Sequence, residues 1–173
     1  FGVAIDDVVV NGFVDGRALR FPTVVVRPGK PNKAASTFAS SIIREPLQGQ
    51  TAICPVSPES KMFLASPRSI IENIIRAHNL IEDDWGQSRE VTLPGFSMNI
   101  KDMVDALRTV ADDIVADRID WKPDPFIQNI LDGWPQEFKT EKALELGFVC
   151  DVYMEEVINA FIEDELDGSI VSS

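Results

Sequence analysis

The segment Phe21-Pro-Thr-Val-Val-Val-Arg27, stopped by Pro28-Gly-Lys-Pro-Asn32, constrains the fold more than any other stretch of the chain. Three consecutive β-branched valines lack the alternation of a strand with one wet face. Both faces have to be covered, as in a parallel sheet. The proline-glycine turn ends the strand. Residues 34–44 then place Ala35, Phe38, Ala39, Ile42 and Ile43 at helical spacing, with Asn32 as the expected N-cap. Such a strand needs neighbours on both sides, and the chain offers only weak ones at residues 8–10 and 18–20. The sheet therefore reads as the end of a larger one.

The rest of the chain alternates in the same way. Residues 51–56 and 61–65 read as short strands joined by a turn at 57–60. Ser66-Pro67 is a helix start, and Ile70, Ile71, Ile74, Ile75 and His78 are expected on one face as far as Leu80. Residues 82–86 read as a loop and 90–93 as a strand. Asn99 with Asp102 resembles a capping arrangement for a helix carrying Ile100, Met103, Val104, Leu107, Val110 and Ile114. A strand at 118–122, short helices at 125–131 and after Thr140, and a last helix opened by Asp151 complete the pattern, with a frayed tail at 167–173. Alternating strands and helices argue for an α/β or mixed α+β fold.

Charge narrows the function classes. Residues 1–90 hold ten basic and ten acidic side chains, so the whole net charge of -12 lies in residues 91–173. A nucleic acid wants a basic face, and so does an anionic membrane surface; neither partner is expected. No apolar run approaches the roughly 20 residues of a membrane span. Cys54 and Cys150 are expected to be free thiols, and with one histidine and no CxxC a Cys/His zinc site is not expected. No signal-peptide pattern is visible, which fits a reducing cytoplasm. The chain opens on Phe1 rather than Met, as a fragment would.

Candidate site residues gather where the strand gives way to the helix. Arg27, Lys30 and Asn32 sit at the carboxyl end of a parallel strand and at a helix N-terminus, an arrangement that suits a carboxylate. The alternative is a structural turn with a solvated lysine, and an Arg27 paired with a buried acid. Ser36, Thr37, Ser40 and Ser41 form a polar stripe on the helix. One of them, with Ser40 the candidate, could hold a substrate hydroxyl; the competing role is small-residue packing on the sheet. Arg68 lies in the first turn of its helix, where a cation costs about 0.3–1 kcal/mol. An anionic partner is expected there, either a ligand or a local carboxylate. Lys61 is a weaker candidate. His78 is expected to be a partly buried structural histidine, since no nucleophile motif stands beside it. The acid pairs Asp83/Asp84, Asp112/Asp113 and Glu155/Glu156 read as solvated faces, and Trp85, Trp121 and Trp134 as packing residues rather than a sugar platform.

The stretch from Gly12 to Asn32 resembles the extended short-chain dehydrogenase/reductase superfamily, and within it the NAD-dependent epimerase/dehydratase group. The resemblance continues through Phe38-Ala-Ser-Ser-Ile-Ile-Arg-Glu-Pro-Leu47, Ser66-Pro-Arg68, Leu93-Pro-Gly95 and Leu146-Gly-Phe148, and covers roughly residues 11–165. It implies an α/β chain: the C-terminal part of a Rossmann-type extended short-chain dehydrogenase, with the last parallel strands plus a small mixed α/β substrate-binding domain. Residues 1–32 would be the incomplete end of the dinucleotide-binding sheet, and 33–173 the substrate-binding domain. The implied reaction moves a hydride from a hydroxyl of a small anionic sugar acid to NAD. The resemblance places cofactor and substrate contacts at Pro28, Gly29 and Lys30; together with the residue reading above, the expected substrate contacts are Arg27, Lys30, Asn32, Ser40 and Arg68. A homodimer is implied for the full-length protein.

The family reaction also uses a tyrosine, a lysine four residues later and a glycine-rich phosphate loop. Here the only tyrosine is Tyr153, followed four residues on by Val157, and no Gly-x-x-Gly-x-x-Gly occurs. Phe1 and Ile5 stand where the tyrosine and lysine would align, and phenylalanine has no proton to exchange. The chemistry is therefore expected to lie outside these residues. The alternatives are a sugar-nucleotide epimerase/dehydratase and a non-catalytic, degenerate binding domain.

Overall fold

The computed structural model describes residues 15–30, 34–86 and 88–171. The strand candidate at 8–10, the Phe1 and Ile5 positions and Asn32 lie outside the described residues.

The valine-rich segment is interrupted rather than continuous. β1 (Ala18–Arg20) and β2 (Thr23–Val24) are separated by Phe21 and Pro22, whose missing N–H cannot serve a ladder. Val25 and Val26 leave strand geometry, yet they are 0% and 1% exposed. Burial on both faces thus holds, while the strand is shorter than 21–27. Helix α1 (Thr37–Leu47) starts three residues later than residue 34, with Ser36 at the N-cap position. Its Ile42, Ile43 and Leu47 are fully buried, each contributing about 1.5–3 kcal/mol of transfer free energy.

Downstream come β3 (Ala52–Cys54), β4 (Lys61–Ala65), α2 (Pro67–Asn79), α3 (Glu82–Trp85) and β5 (Glu90–Thr92). β6 (Phe96–Asn99), α4 (Ile100–Ala111), α5 (Asp113–Ala116), β7 (Ile119–Trp121), α6 (Pro125–Asp132), α7 (Glu141–Glu145) and α8 (Met154–Glu165) complete the order. Among the described residues these strands form three small sheets. β1 pairs with β5 and β3 with β7, both parallel; β4 lies between parallel β2 and antiparallel β6. β3 and β4 are thus in different sheets, despite the short turn between them.

Five expectations are corrected. Residues 82–85 are a helical turn, not a loop, because Trp85 is drawn into the core at 1% exposure. The helix from Ile100 breaks at Asp112, whose φ is 108°, and Ile114 is exposed rather than inward. Asn99 does not cap the backbone; its Nδ2 donates to the Asp102 carboxylate at 3.3 Å. α8 starts at Met154, not at Asp151, which instead accepts from Ser66 N at 2.7 Å, Ser66 Oγ at 2.6 Å and Ser69 Oγ at 2.7 Å. On α2 the buried row is Ile70, Asn73 and Ala77; Ile71, Ile74 and Ile75 are 57%, 43% and 55% exposed, and His78 is exposed as well.

Two apolar cores form. The larger gathers Val25, Val26, α1, α4 and α8 around Ile43, Met103, Leu107 and Ile158. The smaller holds Ala65, Ile70, Ala77, Leu80, Trp85, Val91, Leu93 and Phe148, with Leu19 and Val24 packed against it. Asn73, fully buried in α2, satisfies both amide groups on Val149: Nδ2 donates to its carbonyl at 2.9 Å, and Oδ1 accepts from its N–H at 2.8 Å. Cys54 and Cys150 are free thiols. Burial pushes Cys54 up to about 11 and raises Cys150 as well. Among the described residues no helix is long and apolar enough to cross a membrane, and no cluster of His, Cys, Asp and Glu could hold a metal ion.

Candidate functional site

The carboxyl end of β2 and the first turns of α1 meet at a small cavity of about 80 Å³ lined by Arg27, Pro28, Lys30, Thr37, Ser40 and Arg44. The backbone of Arg27 is gripped at both ends. Its N–H donates to Ser40 Oγ at 3.1 Å, and its carbonyl accepts from Arg44 Nη1 at 2.7 Å. The main chain is thus pinned where the Arg27 side chain leaves it. Its Nε is buried and has no hydrogen-bond partner among the described residues. Such a donor is costly unless an acceptor arrives.

Arg44 plays a different part. It is 5% exposed, and besides the Arg27 carbonyl it donates to Ser41 Oγ at 3.2 Å and Glu45 Oε1 at 2.7 Å. Its charge is therefore balanced internally. Lys30 is exposed, on a turn where Gly29 has φ 92°. A Cβ built on Gly29 would meet nothing within 4 Å, so glycine is required there by backbone conformation, not by crowding.

The sequence-derived candidates divide accordingly. Arg27, Pro28, Lys30 and Ser40 share one cavity. Ser40 is 1% exposed and its hydroxyl oxygen is occupied by the Arg27 N–H. Arg68 lies elsewhere. Its guanidinium holds Asp164 through Nε at 2.8 Å and Nη2 at 2.7 Å, and Glu163 at 2.9 Å. The anionic partner expected of a cation in a first turn is present as these local carboxylates. Lys61 is likewise paired, with Glu137 at 2.9 Å.

Two features were not singled out from sequence. Arg44 stands one helical turn beyond Ser40 on the same face, which was the available signal. On the other flank of α1 a wider groove of about 810 Å³ is walled by Phe38, Ile53, Phe126 and Ile130, with Lys122 and Asp124 beside them. Its apolar residues come from three separate elements, so no local pattern announces it. Glu45 also lines it and carries a buried Oε2 with no partner among the described residues.

The arrangement fits an anion: a cation with an unspent buried donor, a second exposed cation, and the N-terminal end of an 11-residue helix. These residues could hold a carboxylate or one edge of a phosphate-bearing cofactor.

No family model matches the chain. It is 48% identical over 160 residues to D-erythronate dehydrogenase of Cupriavidus necator, covering 92% of this chain and 49% of that protein. It is 43% identical over 162 residues to D-erythronate dehydrogenase of Haemophilus influenzae, covering 94% and 51%. The chain thus spans about half the length of the relatives it matches. Among solved structures, the nucleoside-diphosphate-sugar epimerase from Agrobacterium tumefaciens superposes with a TM-score of 0.93 at 39% identity, over 97% of this chain and 49% of that one. L-threonine 3-dehydrogenase from Trypanosoma brucei shares the fold, with a TM-score of 0.83 at 15% identity over 98% of this chain and 52% of that one. By sequence and by fold the chain is therefore similar to the C-terminal part, about half the length, of Rossmann-type short-chain dehydrogenases of the epimerase/dehydratase kind.

Proposed function

We propose that the chain is the substrate-binding part of an NAD-dependent dehydrogenase that oxidises a hydroxyl of a small sugar acid such as D-erythronate. The observation that carries this reading is the buried Arg27 Nε, without a partner among the described residues, beside Lys30 at the end of β2. An aldonate carboxylate supplies the missing acceptor and the opposite charge. The D-erythronate dehydrogenases, matched over more than nine-tenths of the chain, supply the substrate class.

The residues also fit one edge of NAD. Pro28 and Gly29 shape an exposed turn that carries Lys30, and Lys30 would face an anionic group of the cofactor. NAD supplies the hydride acceptor. Arg27 and Lys30 hold charge and orient the acid, and Ser40 fixes Arg27 by accepting its N–H. The sequence holds no glycine-rich phosphate loop and no Tyr-x-x-x-Lys. In this reading those groups come from the rest of the parent protein. Asn32 belongs to the same turn by sequence and is included as a substrate contact. Arg68, held by two carboxylates, is assigned to the α2–α8 contact instead.

The test is NADH formation by the protein from the complete gene with a panel of four-carbon sugar acids. Turnover of D-erythronate or a close isomer is expected, and no signal with any of them defeats the substrate class. A second reading, a sugar-nucleotide epimerase, is favoured by the 810 Å³ groove, which has room for more than a four-carbon acid, and by the solved structure at 39% identity. It predicts conversion of a UDP-sugar in the same assay series.

A further inference from the structure

Two cavities meet near β2 and share Phe21, Pro22, Thr23 and Trp134 as walls. The larger, of about 390 Å³, is bordered by Arg27, which also borders the small cavity beside Ser40. The other, of about 130 Å³, reaches Phe63, Phe138 and Lys61. The shared walls make them two ends of one cleft, with a cation at each end and aromatic rings between. Its back is tightly packed at Gly95. A Cβ there would come within 2.9 Å of both Pro22 and Phe63 and within 2.5 Å of the Leu64 carbonyl oxygen.

The Lys61 end is closed by the loop that follows α6. Lys61 and Phe63 lie two residues apart on β4, and Ser97 of β6 stands directly opposite Phe63. All three therefore share one face of the β4–β6 pair. Each holds one of three successive loop residues. Ser97 Oγ donates to the Gln136 carbonyl at 2.5 Å, Lys61 Nζ donates to Glu137 Oε1 at 2.9 Å, and the ring of Phe63 meets that of Phe138 at 5.1 Å between centroids. Among the described residues, no backbone N–H of residues 136–139 donates to a backbone carbonyl. Side-chain anchors thus set the course of the loop, and Trp134 and Pro135 just ahead of them line the cleft. The two cations differ in the same way as before. Lys61 is paired with Glu137, whereas the buried Arg27 Nε has no partner among the described residues.

We propose that Trp134 is a specificity residue that limits the length of the acid this cleft takes, and that Ser97, Lys61 and Glu137 are positioning residues that hold its loop across the cleft. An acid whose carboxylate meets Arg27 extends towards the indole. The space before it, about 390 Å³, is near the lower end of the roughly 300–1,000 Å³ of small-molecule sites. A four-carbon acid is taken within that space. A six-carbon acid, or a sugar carrying a nucleoside diphosphate, meets Trp134 and finds the cation beyond it already paired. Selection is therefore by exclusion of the longer ligand, not by extra contacts to the shorter one. The proposal deepens the sugar-acid reading and rests on it for the carboxylate at Arg27.

The experiment uses the protein from the complete gene. It reads kcat/KM with NAD for D-erythronate and D-gluconate, and Kd by calorimetry for both acids and for UDP-glucose on the NADH-loaded protein. The parent sequence is expected to prefer the four-carbon acid. Trp134→Ala is expected to raise the D-gluconate to D-erythronate ratio of kcat/KM roughly tenfold, chiefly through KM for the longer acid, as the opening of an apolar wall does. Trp134 also packs against the larger core, so a second variant keeps the indole and frees the loop. Ser97→Ala combined with Glu137→Gln is expected to move the ratio the same way by about threefold, the scale of exposed anchors. A merely structural loss lowers both acids alike and leaves the ratio where it was. An unchanged ratio in both variants overturns the proposal, and so does a parent sequence that prefers D-gluconate. If no four-carbon acid is turned over or bound, the sugar-acid reading falls by itself. The length limit then stands on Trp134→Ala binding UDP-glucose at least about tenfold more tightly than the parent sequence, and falls with an equal Kd.

Discussion

Asp151 shows what a single residue does in this fold. It sits 85 positions from Ser66 in sequence, yet it accepts a backbone N–H and two serine hydroxyls at the start of α2. Ser66 in turn caps Ser69 N at 3.0 Å, so the carboxylate orients the cap that orients the helix. Hydrogen bonds to a charged group are worth about 1.5–3 kcal/mol, so Asp151→Ala should lower unfolding stability by that order, and Asp151→Asn by less. Urea titration of the two variants checks it; equal losses would mean the charge is immaterial. Ser66-Pro67 was legible as a helix start because its signal is local. Asp151 was misplaced as the start of α8 because its true partners are remote. The cations of the candidate site divide by the same logic. Arg27 has a spare donor, whereas Arg44 is saturated and buried. Under the proposed function, Arg27→Met in the full-length enzyme raises KM for the sugar acid roughly tenfold with kcat little changed, the loss of one charge-assisted contact. Arg44→Met instead lowers stability, since it strips the Arg27 carbonyl and Glu45 of their partner. A matching loss of stability in both variants would remove the distinction between ligand residue and framework residue.

At the scale of elements, pattern and punctuation located most helices, while strands were legible only in part. The amphipathic rows of α1, α4 and α8 were visible because one face of each meets the larger core. β6 was missed because its four residues are all only partly buried, so no clean alternation marks it. β2 came out shorter than its valine run because pairing with β4 ends at the bond from Val25 N to the Ala65 carbonyl, whereas burial continues through Val26. The break between α4 and α5 was invisible because Ile114 continues the apolar spacing by coincidence. The structure shows its cause at Asp112, where φ is 108° and ψ 173°. Its Oδ1 accepts from Val115 N at 3.0 Å and opens α5. This backbone region belongs almost entirely to glycine and costs another residue of order 1–3 kcal/mol. The cap returns about 1 kcal/mol of that. Asp112→Ala therefore loses the cap and keeps the strain, whereas Asp112→Gly loses the cap but relieves the strain. Alanine is expected to be the more destabilising of the two by thermal unfolding, and the reverse order would rule out strain as the reason for the break.

Across the whole molecule, the charge asymmetry seen in the sequence has a structural counterpart. The acidic half of the chain supplies Glu163 and Asp164 from α8 and Glu137 from the loop after α6. The neutral half supplies Arg68 and Lys61, which meet them. These exposed pairs bridge the parts of the chain that the two cores draw together. The hydrogen bond from Arg68, and then its charge, holds the Asp164 carboxyl below its ordinary value of 3.8. Lys61 does the same for Glu137 relative to 4.5. A carboxyl depressed by folding binds its proton more weakly folded than unfolded. Its contribution to stability is present above the ordinary value and disappears as pH falls through the depressed one. Arg68 is itself raised above its ordinary value by its bonds to Asp164 and Glu163, so its share persists at every lower pH at which the carboxylates stay charged. Acid is thus the side on which this bridge fails. Exposed pairs are screened by salt and individually weak, so the effect should be sought as a change of slope at low ionic strength rather than as a large loss. Tm of the parent sequence should fall between roughly pH 5 and pH 2 more steeply than Tm of Arg68→Ala, because the variant has no pair left to lose over that window. The two curves should converge at the acid end and separate towards neutrality. Parallel curves would show that α2 and α8 are joined by their apolar groove alone, and that the carboxylates at 163 and 164 serve only to solvate the surface.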